Sequence, residues 1–391
     1  MADRPDEELG GKTPLECAKK PNIDALAKNG VMGLVKTVDD RLSPGSDVAN
    51  LSVLGYDPFK YYTGRSPLEA LSIGAPLGDT DVTFRANLVT LSDEESYADK
   101  TMVDYSSDEI PTSESEILIN FLKSKLKYDN IALYTGISYR HLMIWTGGST
   151  NVKLTPPHDI SKRVTGEYLP SGEGADVILE IMKKSHELLK SHPINLERVK
   201  RGLHPANSLW IWGEGKKPHL DDFYQKFGLH GSMISAVDLL KGIGKGTGMS
   251  VVDVPGATGN ISTNFSGKAE AAINEFRSGS DFVYIHVEAA DECGHRHETE
   301  NKVRAIELID EKIVAPVIEY LNSTGEPFAA LVTPDHPTPL KLMTHTREPI
   351  PFVIYKSGKA CASGLSYSEK NAAKTGVFIE KGYELMEMFL R

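Results

Sequence analysis

Phe328-Ala329-Ala330-Leu331-Val332-Thr333-Pro334-Asp335-His336-Pro337-Thr338 decides the fold. The apolar run follows a Gly325-Glu326-Pro327 turn signal and has the length of a buried strand. Asp335 and His336 therefore stand at a strand's carboxyl end, outside which open α/β sheets bind their ligands. A second stretch has the same build. Asp281-Phe282-Val283-Tyr284-Ile285-His286-Val287-Glu288 reads as another buried strand, and Asp291-Glu292-Cys293-Gly294-His295 follows it directly. Taken singly, each Asp/His pair reads as a loop hydrogen bond or a helix N-cap. Two such pairs after strands, with His345 close behind, point instead to a metal site. Carboxylate and neutral imidazole suit Zn²⁺ or Mn²⁺. His286 alternates into its strand and reads as a satisfied core residue, and His297 as an outer partner or a solvent-facing group.

The 391 residues, 40% hydrophobic and 25% charged, have ordinary globular composition and suffice for two domains with real cores. No apolar run reaches the length of a membrane span and no signal pattern opens the chain. A balance of 43 Lys+Arg against 54 Asp+Glu, net -11, opposes nonspecific binding to nucleic acid or anionic membrane. Cys17, Cys293 and Cys361 are too scattered for a disulfide framework or a thiolate zinc site. A cytoplasmic protein is expected.

Outward from the two Asp/His stretches, strands alternate with helices. Strands are expected over Val31 to Val38, Ser250 to Val254 and Pro351 to Tyr355. Helices are expected over Asn22 to Asn29, Lys268 to Arg277, Asn301 to Leu321 and Glu380 to Leu390. Thr13 and Glu16 around Pro14 form a capping pattern. Ile234, Val237, Leu239 and Leu240 have helical spacing, and Gly242 to Gly246 reads as a glycine-rich turn without the phosphate-loop spacing. This rhythm implies an α/β fold, a mostly parallel sheet flanked by helices on both faces. From Pro76 to Asp222 the texture changes to short strands, turns and an amphipathic helix, Asp176 to Leu189, read as an inserted α+β domain. The expected division is 1–75 and 223–391 for the metal-bearing domain and 76–222 for the insert. In Pro44-Gly45-Ser46-Asp47, Ser46 opens a helical pattern and reads either as its N-cap or as a nucleophile beside metal. Asp47 either orients Ser46 or caps the same helix.

Several segments together resemble the cofactor-independent phosphoglycerate mutases of the type first recognised in archaea, within the alkaline phosphatase superfamily. They are Ala2 to Pro5 with Leu9 to Glu16, Pro44 to Asp47, Gly55 to Arg65, Tyr139 to His141, Pro156 to Ile160 and Pro255 to Gly259. Asp291 with His295, Asp335-His336 and Thr344-His345-Thr346 complete the match, which covers nearly the whole chain. The resemblance implies an alkaline-phosphatase-like fold and interconversion of 3-phosphoglycerate and 2-phosphoglycerate through a phosphoserine on Ser46. It implies two divalent metal ions, with Mn²⁺ expected and Zn²⁺, Co²⁺ or Mg²⁺ as alternatives, and no 2,3-bisphosphoglycerate. Asp291, His295 and His345 would hold one ion. Asp335, His336, Ser46 and one further Asp would hold the other.

In the family that further Asp ends a first strand immediately before the segment that here begins at Met1, and Asp3 is out of register with it. Either the natural chain begins upstream, or the second metal site lacks a ligand and the sheet a strand. Arg85, Arg140 and one of Lys216 or Lys217 are expected to grip carboxylate and phosphate, and His158 with Asp159 to carry the proton between the glycerate hydroxyls. Closure of the insert over the site is expected to exclude water. A phosphohydrolase or phosphomutase acting on another phosphate ester, or an inactive relative, would share most of these residues.

Overall fold

Thr13 accepts the Glu16 N–H and Glu16 returns a bond to the Thr13 N–H, so the capping box forms as its spacing requires. In a computed structural model the described residues are 1–359 and 363–391, which leaves Cys361 outside them. The chain divides into two units, Met1–Tyr62 with His219–Arg391, and Thr63–Pro218.

Among the described residues the first unit holds two sheets. One has the order Ser250–Val252, Gly231–Ile234, Phe282–Ile285, all parallel. The other has the order Ala329–Val332, Ile350–Lys356, Val31–Val35, Phe378–Ile379, with its first two pairings antiparallel and its last parallel. The expected single, mostly parallel sheet is thus two sheets, with three parallel pairings of five. The antiparallel pair follows from the connection. Residues 333–349 return as an irregular loop, and a parallel return needs a crossover, usually a helix. Leu15, Ile23, Ile306 and Ile313 pack with Met32 and Val353 into one core. Each such side chain contributes about 1.5–3 kcal/mol.

The expected helix over Asn301 to Leu321 is Thr299–Ile309, a π-turn at Asp310–Val314, and Ala315–Thr324. The π-turn carries Asp310, whose buried carboxylate accepts the Ile23 N–H at 2.7 Å and the Asn22 side-chain amide at 2.8 Å. Helix Pro21–Asn29 begins at Lys20, which offers it no side-chain acceptor, so Asp310 caps it from a distance. Two expectations near residue 240 are corrected. Ile234 belongs to a strand, and Gly242 to Gly246 lie within helix Asp238–Gly246. A Cβ on Gly244 would stand 2.9 Å from Met233 Cβ, so glycine here lets the helix lie close on the sheet.

The second unit is α+β. Its five-stranded antiparallel sheet runs Met102–Asp104, Asp81–Leu91, Arg140–Thr146, Ile131–Tyr134, with Ser208–Lys216 also paired to Asp81–Leu91. Helices Thr112–Lys125 and Ala175–Leu189 bring Leu118, Leu122, Ile178 and Met182 into a core with Phe84 and Met143. This unit begins at Thr63 rather than at residue 76, because Ala70 of helix Arg65–Ser72 packs on Leu142 and Ile144, and Ser66 bonds to Thr83. Among the described residues no helix is long and apolar enough to cross a membrane.

Candidate active site

Ser46 is the first residue of helix Ser46–Val53, whose cap is Gly45, so its hydroxyl is not spent on capping. Its Oγ lies 3.0 Å from His336 Nε2. A Cβ on Gly45 would stand 2.6 Å from Asp47 Oδ1, so a larger residue here would require the Asp47 side chain to move. Asp47 accepts the Val48 N–H and the Tyr62 hydroxyl, at 2.9 and 2.7 Å, so it serves the first turn of the helix rather than Ser46.

Asp335 and His336 follow strand Ala329–Val332, as their position in the sequence implied. His336 is 2% exposed, with Nε2 3.4 Å from Asp335 Oδ2. Burial pushes its imidazole below the usual value, against the pull of Asp335. Burial opposes ionisation of Asp335, but the fields of His336 and His286 outweigh it and hold its carboxyl below the ordinary range.

Asp291 and His295 share helix Ala289–His295, one turn apart. His295 Nε2 stands 2.8 Å from His345 Nε2 and 3.3 Å from Asp291 Oδ2, and His345 Nε2 is 3.5 Å from Asp291 Oδ1. The His295 Nδ1 lies 3.0 Å from the Met343 carbonyl, which can only accept. In the neutral ring Nε2 therefore presents its lone pair to the carboxylate and to the second imidazole. A hydrogen on His345 Nε2, or a metal ion shared by the three atoms, relieves the facing lone pairs. The donor set fits a divalent ion, with the Met343 carbonyl fixing the tautomer as outer partners of metal sites do. The two groups adjoin, since the His336 and His345 ring centroids are 3.9 Å apart.

Asp3 is nine-tenths buried and has a structural task. Its carboxylate pairs with the fully buried Lys302 at 2.6 Å, and Lys302 also donates to the Thr338 carbonyl at 2.7 Å. Thr338 in turn donates to Asp291 Oδ1. The turn after His336 is thereby tied to helix Thr299–Ile309. His297, expected at the periphery, bonds to the Leu340 carbonyl of the same turn at 2.8 Å.

Sequence reasoning did not single out Asn50 or Tyr284, and His286, read as a satisfied core residue, is buried and hydrogen-bonded. Asn50 stands one turn beyond Ser46, which is the signal that marks it. His286 sits in the field of Asp335 and Asp291 with Ser235 Oγ 3.2 Å from Nδ1, and burial lowers its pKa to about 4. Its carbonyl accepts Lys268 Nζ at 2.7 Å, and burial holds that ammonium down at about 8.

In the second unit the antiparallel register sets Arg85 opposite Trp212 and Asn87 opposite Arg140. Arg85 is 9% exposed, and its guanidinium lies 4.5 Å over the Trp212 ring and pairs with Glu69 at 3.0 Å. The His158 ring meets Trp212 edge-on at 5.3 Å. Its Nε2 is 3.6 Å from Asp159 Oδ1, beyond hydrogen-bond range, and burial lowers its pKa while Asp159 opposes. Arg140 is exposed beside Tyr139. Lys216 ends its strand exposed, and Lys217 lies 3.8 Å from Asp79.

A family model described as 2,3-bisphosphoglycerate-independent phosphoglycerate mutase matches residues 27–195. Over 391 residues the chain is 47% identical to a probable 2,3-bisphosphoglycerate-independent phosphoglycerate mutase of Geobacter sulfurreducens, covering 100% of this chain and 97% of that relative. It is 44% identical over 393 residues to the 2,3-bisphosphoglycerate-independent phosphoglycerate mutase of Methanosarcina acetivorans, with the same two coverages. A solved structure from Pyrococcus horikoshii matches with a TM-score of 0.81 at 30% identity, covering 100% of this chain and 94% of that one. The cofactor-independent phosphoglycerate mutase of Thermoplasma acidophilum matches with a TM-score of 0.67 at 26% identity, covering 100% and 96%. Identity of this extent over the whole length, on a site of this composition, establishes that the chain belongs to the family of 2,3-bisphosphoglycerate-independent phosphoglycerate mutases.

Proposed function

We propose that the protein interconverts 3-phosphoglycerate and 2-phosphoglycerate without 2,3-bisphosphoglycerate, carrying the phosphoryl group on Ser46. The observation that carries this reading is the uncapped Ser46 hydroxyl 3.0 Å from His336, beside the converging Asp291, His295 and His345. Asp291, His295 and His345 would hold one divalent ion, and Asp335, His336 and Ser46 would contribute to a second, with Mn²⁺ the expected metal. Such ions stabilise charge on the transferring phosphoryl oxygens and favour the deprotonated serine. The Ser46 Oγ forms a bond to phosphorus as the bond from phosphorus to the substrate oxygen breaks, and the departing oxygen takes a proton. The other glycerate hydroxyl then attacks the phosphoserine, loses its proton and frees Ser46.

His158, whose imidazole burial pushes down against the pull of Asp159, is the group assigned to give and receive that proton. Arg85 is assigned to grip an anionic group of the substrate, because its guanidinium is pre-oriented by Glu69 and Trp212. Arg140 and one of Lys216 or Lys217 complete the charge. Few cysteines, and the lack of a span-length helix among the described residues, support a cytoplasmic setting. An enolase-coupled assay with 3-phosphoglycerate and Mn²⁺, run beside a free-phosphate assay, tests the reading. Turnover without phosphate release supports it, and phosphate release without isomerisation replaces it with a phosphohydrolase.

A further inference from the structure

Asn50 is fully buried, and every polar atom of its side chain is bonded. Nδ2 donates to the Ser46 carbonyl at 2.8 Å and to Asp335 Oδ2 at 3.0 Å, and Oδ1 accepts the Tyr284 hydroxyl at 2.6 Å. Both acceptors of Nδ2 lack hydrogens and Tyr284 supplies one, so the amide can face only this way. One side chain thus joins the helix that carries Ser46, the turn that carries Asp335 and strand Phe282–Ile285.

The Asp335 backbone is already pinned, since Thr37 Oγ1 donates to its carbonyl at 2.5 Å. Its carboxylate plane is not fixed by that bond, because the terminal torsion of Asp is broad. Oδ1 accepts the His336 N–H at 3.0 Å, and Asn50 holds Oδ2, the oxygen that faces His336 Nε2. The same amide grips the Ser46 carbonyl, so rotation of Asp335 and displacement of Ser46 are coupled through Asn50.

We infer that Asn50, held in orientation by Tyr284, is a positioning residue that sets the Asp335 carboxylate and the Ser46 turn as one unit. The inference rests on the proposed roles of Ser46 and Asp335. Outer partners of this kind change metal affinity or activity about 10–100-fold when removed. Packing alone would predict a stability loss and nothing more.

The test compares the full chain with Asn50→Ala, Tyr284→Phe and Asp335→Ala by Mn²⁺ calorimetry, thermal unfolding and the coupled mutase assay. Asn50→Ala is expected to weaken one Mn²⁺ step and to lower kcat, each by about 10–100-fold. The step due to Asp291, His295 and His345, and the KM for 3-phosphoglycerate, are expected to hold. Tyr284→Phe is expected to move the same two quantities by less, and it carries the test if Asn50→Ala does not fold. Unchanged Mn²⁺ binding and kcat with only a lowered Tm overturn the inference while leaving the roles of Ser46 and Asp335 standing. If Asp335→Ala leaves Mn²⁺ binding and turnover intact, the reading of Asp335 fails and this inference fails with it.

Discussion

His295 Nε2 and His345 Nε2 face each other at 2.8 Å beside the Asp291 carboxylate. Without metal, a proton must relieve that convergence, and the pKa directions agree. The hydrogen bond to Asp291 raises His295. Burial opposes ionisation of Asp291, but the bonds from His295 and His345 prevail and hold its carboxyl well below the ordinary range.

The sign of the pH dependence follows. A raised imidazole contributes stability that is fully present below its unfolded value of about 6.5 and is lost as pH rises through the folded value. The depressed Asp291 contributes above about 3.9 and is lost as pH falls through its folded value. The chelated protein is therefore expected to lose Tm as pH rises above about 6.5. The gain on adding Mn²⁺ is expected to grow over the same range, because the ion needs neutral imidazole. Tm against pH with EDTA and with Mn²⁺ checks both. A Mn²⁺ gain that shrinks as pH rises would contradict the assignment.

Lys302 and Asp3 form a buried pair under the Thr338 turn. Lys302→Ala leaves Asp3 charged and unpaired, and is expected to cost about 3–5 kcal/mol in denaturant unfolding. The double replacement Lys302→Met with Asp3→Leu should recover most of the loss. If both variants lose equally, packing rather than the uncompensated charge sets the cost.

Asp310 caps helix Pro21–Asn29 from the π-turn. Asp310→Ala is expected to cost about 1–3 kcal/mol, because buried N–H groups lose their acceptor. Hydrogen exchange at Asn22 and Ile23 should rise more than at the strands, and equal protection would refute the remote cap.

Arg85 stacks on Trp212 and donates its Nε–H to Glu69. Arg85→Lys keeps the charge and loses the planar fork, so KM for 3-phosphoglycerate is expected to rise about 10–100-fold, the worth of one charge-assisted bond. An unchanged KM would remove Arg85 from substrate binding.

The residues that belong to one local pattern were legible in the sequence. Asp335-His336 after an apolar run and Asp291/His295 one helical turn apart announce themselves by spacing, and the Thr13/Glu16 box forms as read. What escaped depends on partners far away in the chain. Asn50 looks like one polar residue in a helix until Tyr284 and Asp335 meet it, 234 and 285 residues away. Gly242 to Gly246 read as a turn because glycine lowers helix propensity, and contact of Gly244 with the sheet overrode that preference. The Arg65–Ser72 helix went to the wrong side of the expected boundary because nothing local reveals that Ala70 packs on Leu142.

Transfer through Ser46 is tested most directly by peptide mass analysis of the full chain quenched in acid during turnover of 3-phosphoglycerate with Mn²⁺, beside the coupled rate of Ser46→Ala. The account predicts a phosphorylated Ser46 peptide in the parent and background turnover in Ser46→Ala. No phosphorylated Ser46 peptide, together with undiminished isomerisation by Ser46→Ala, would contradict it.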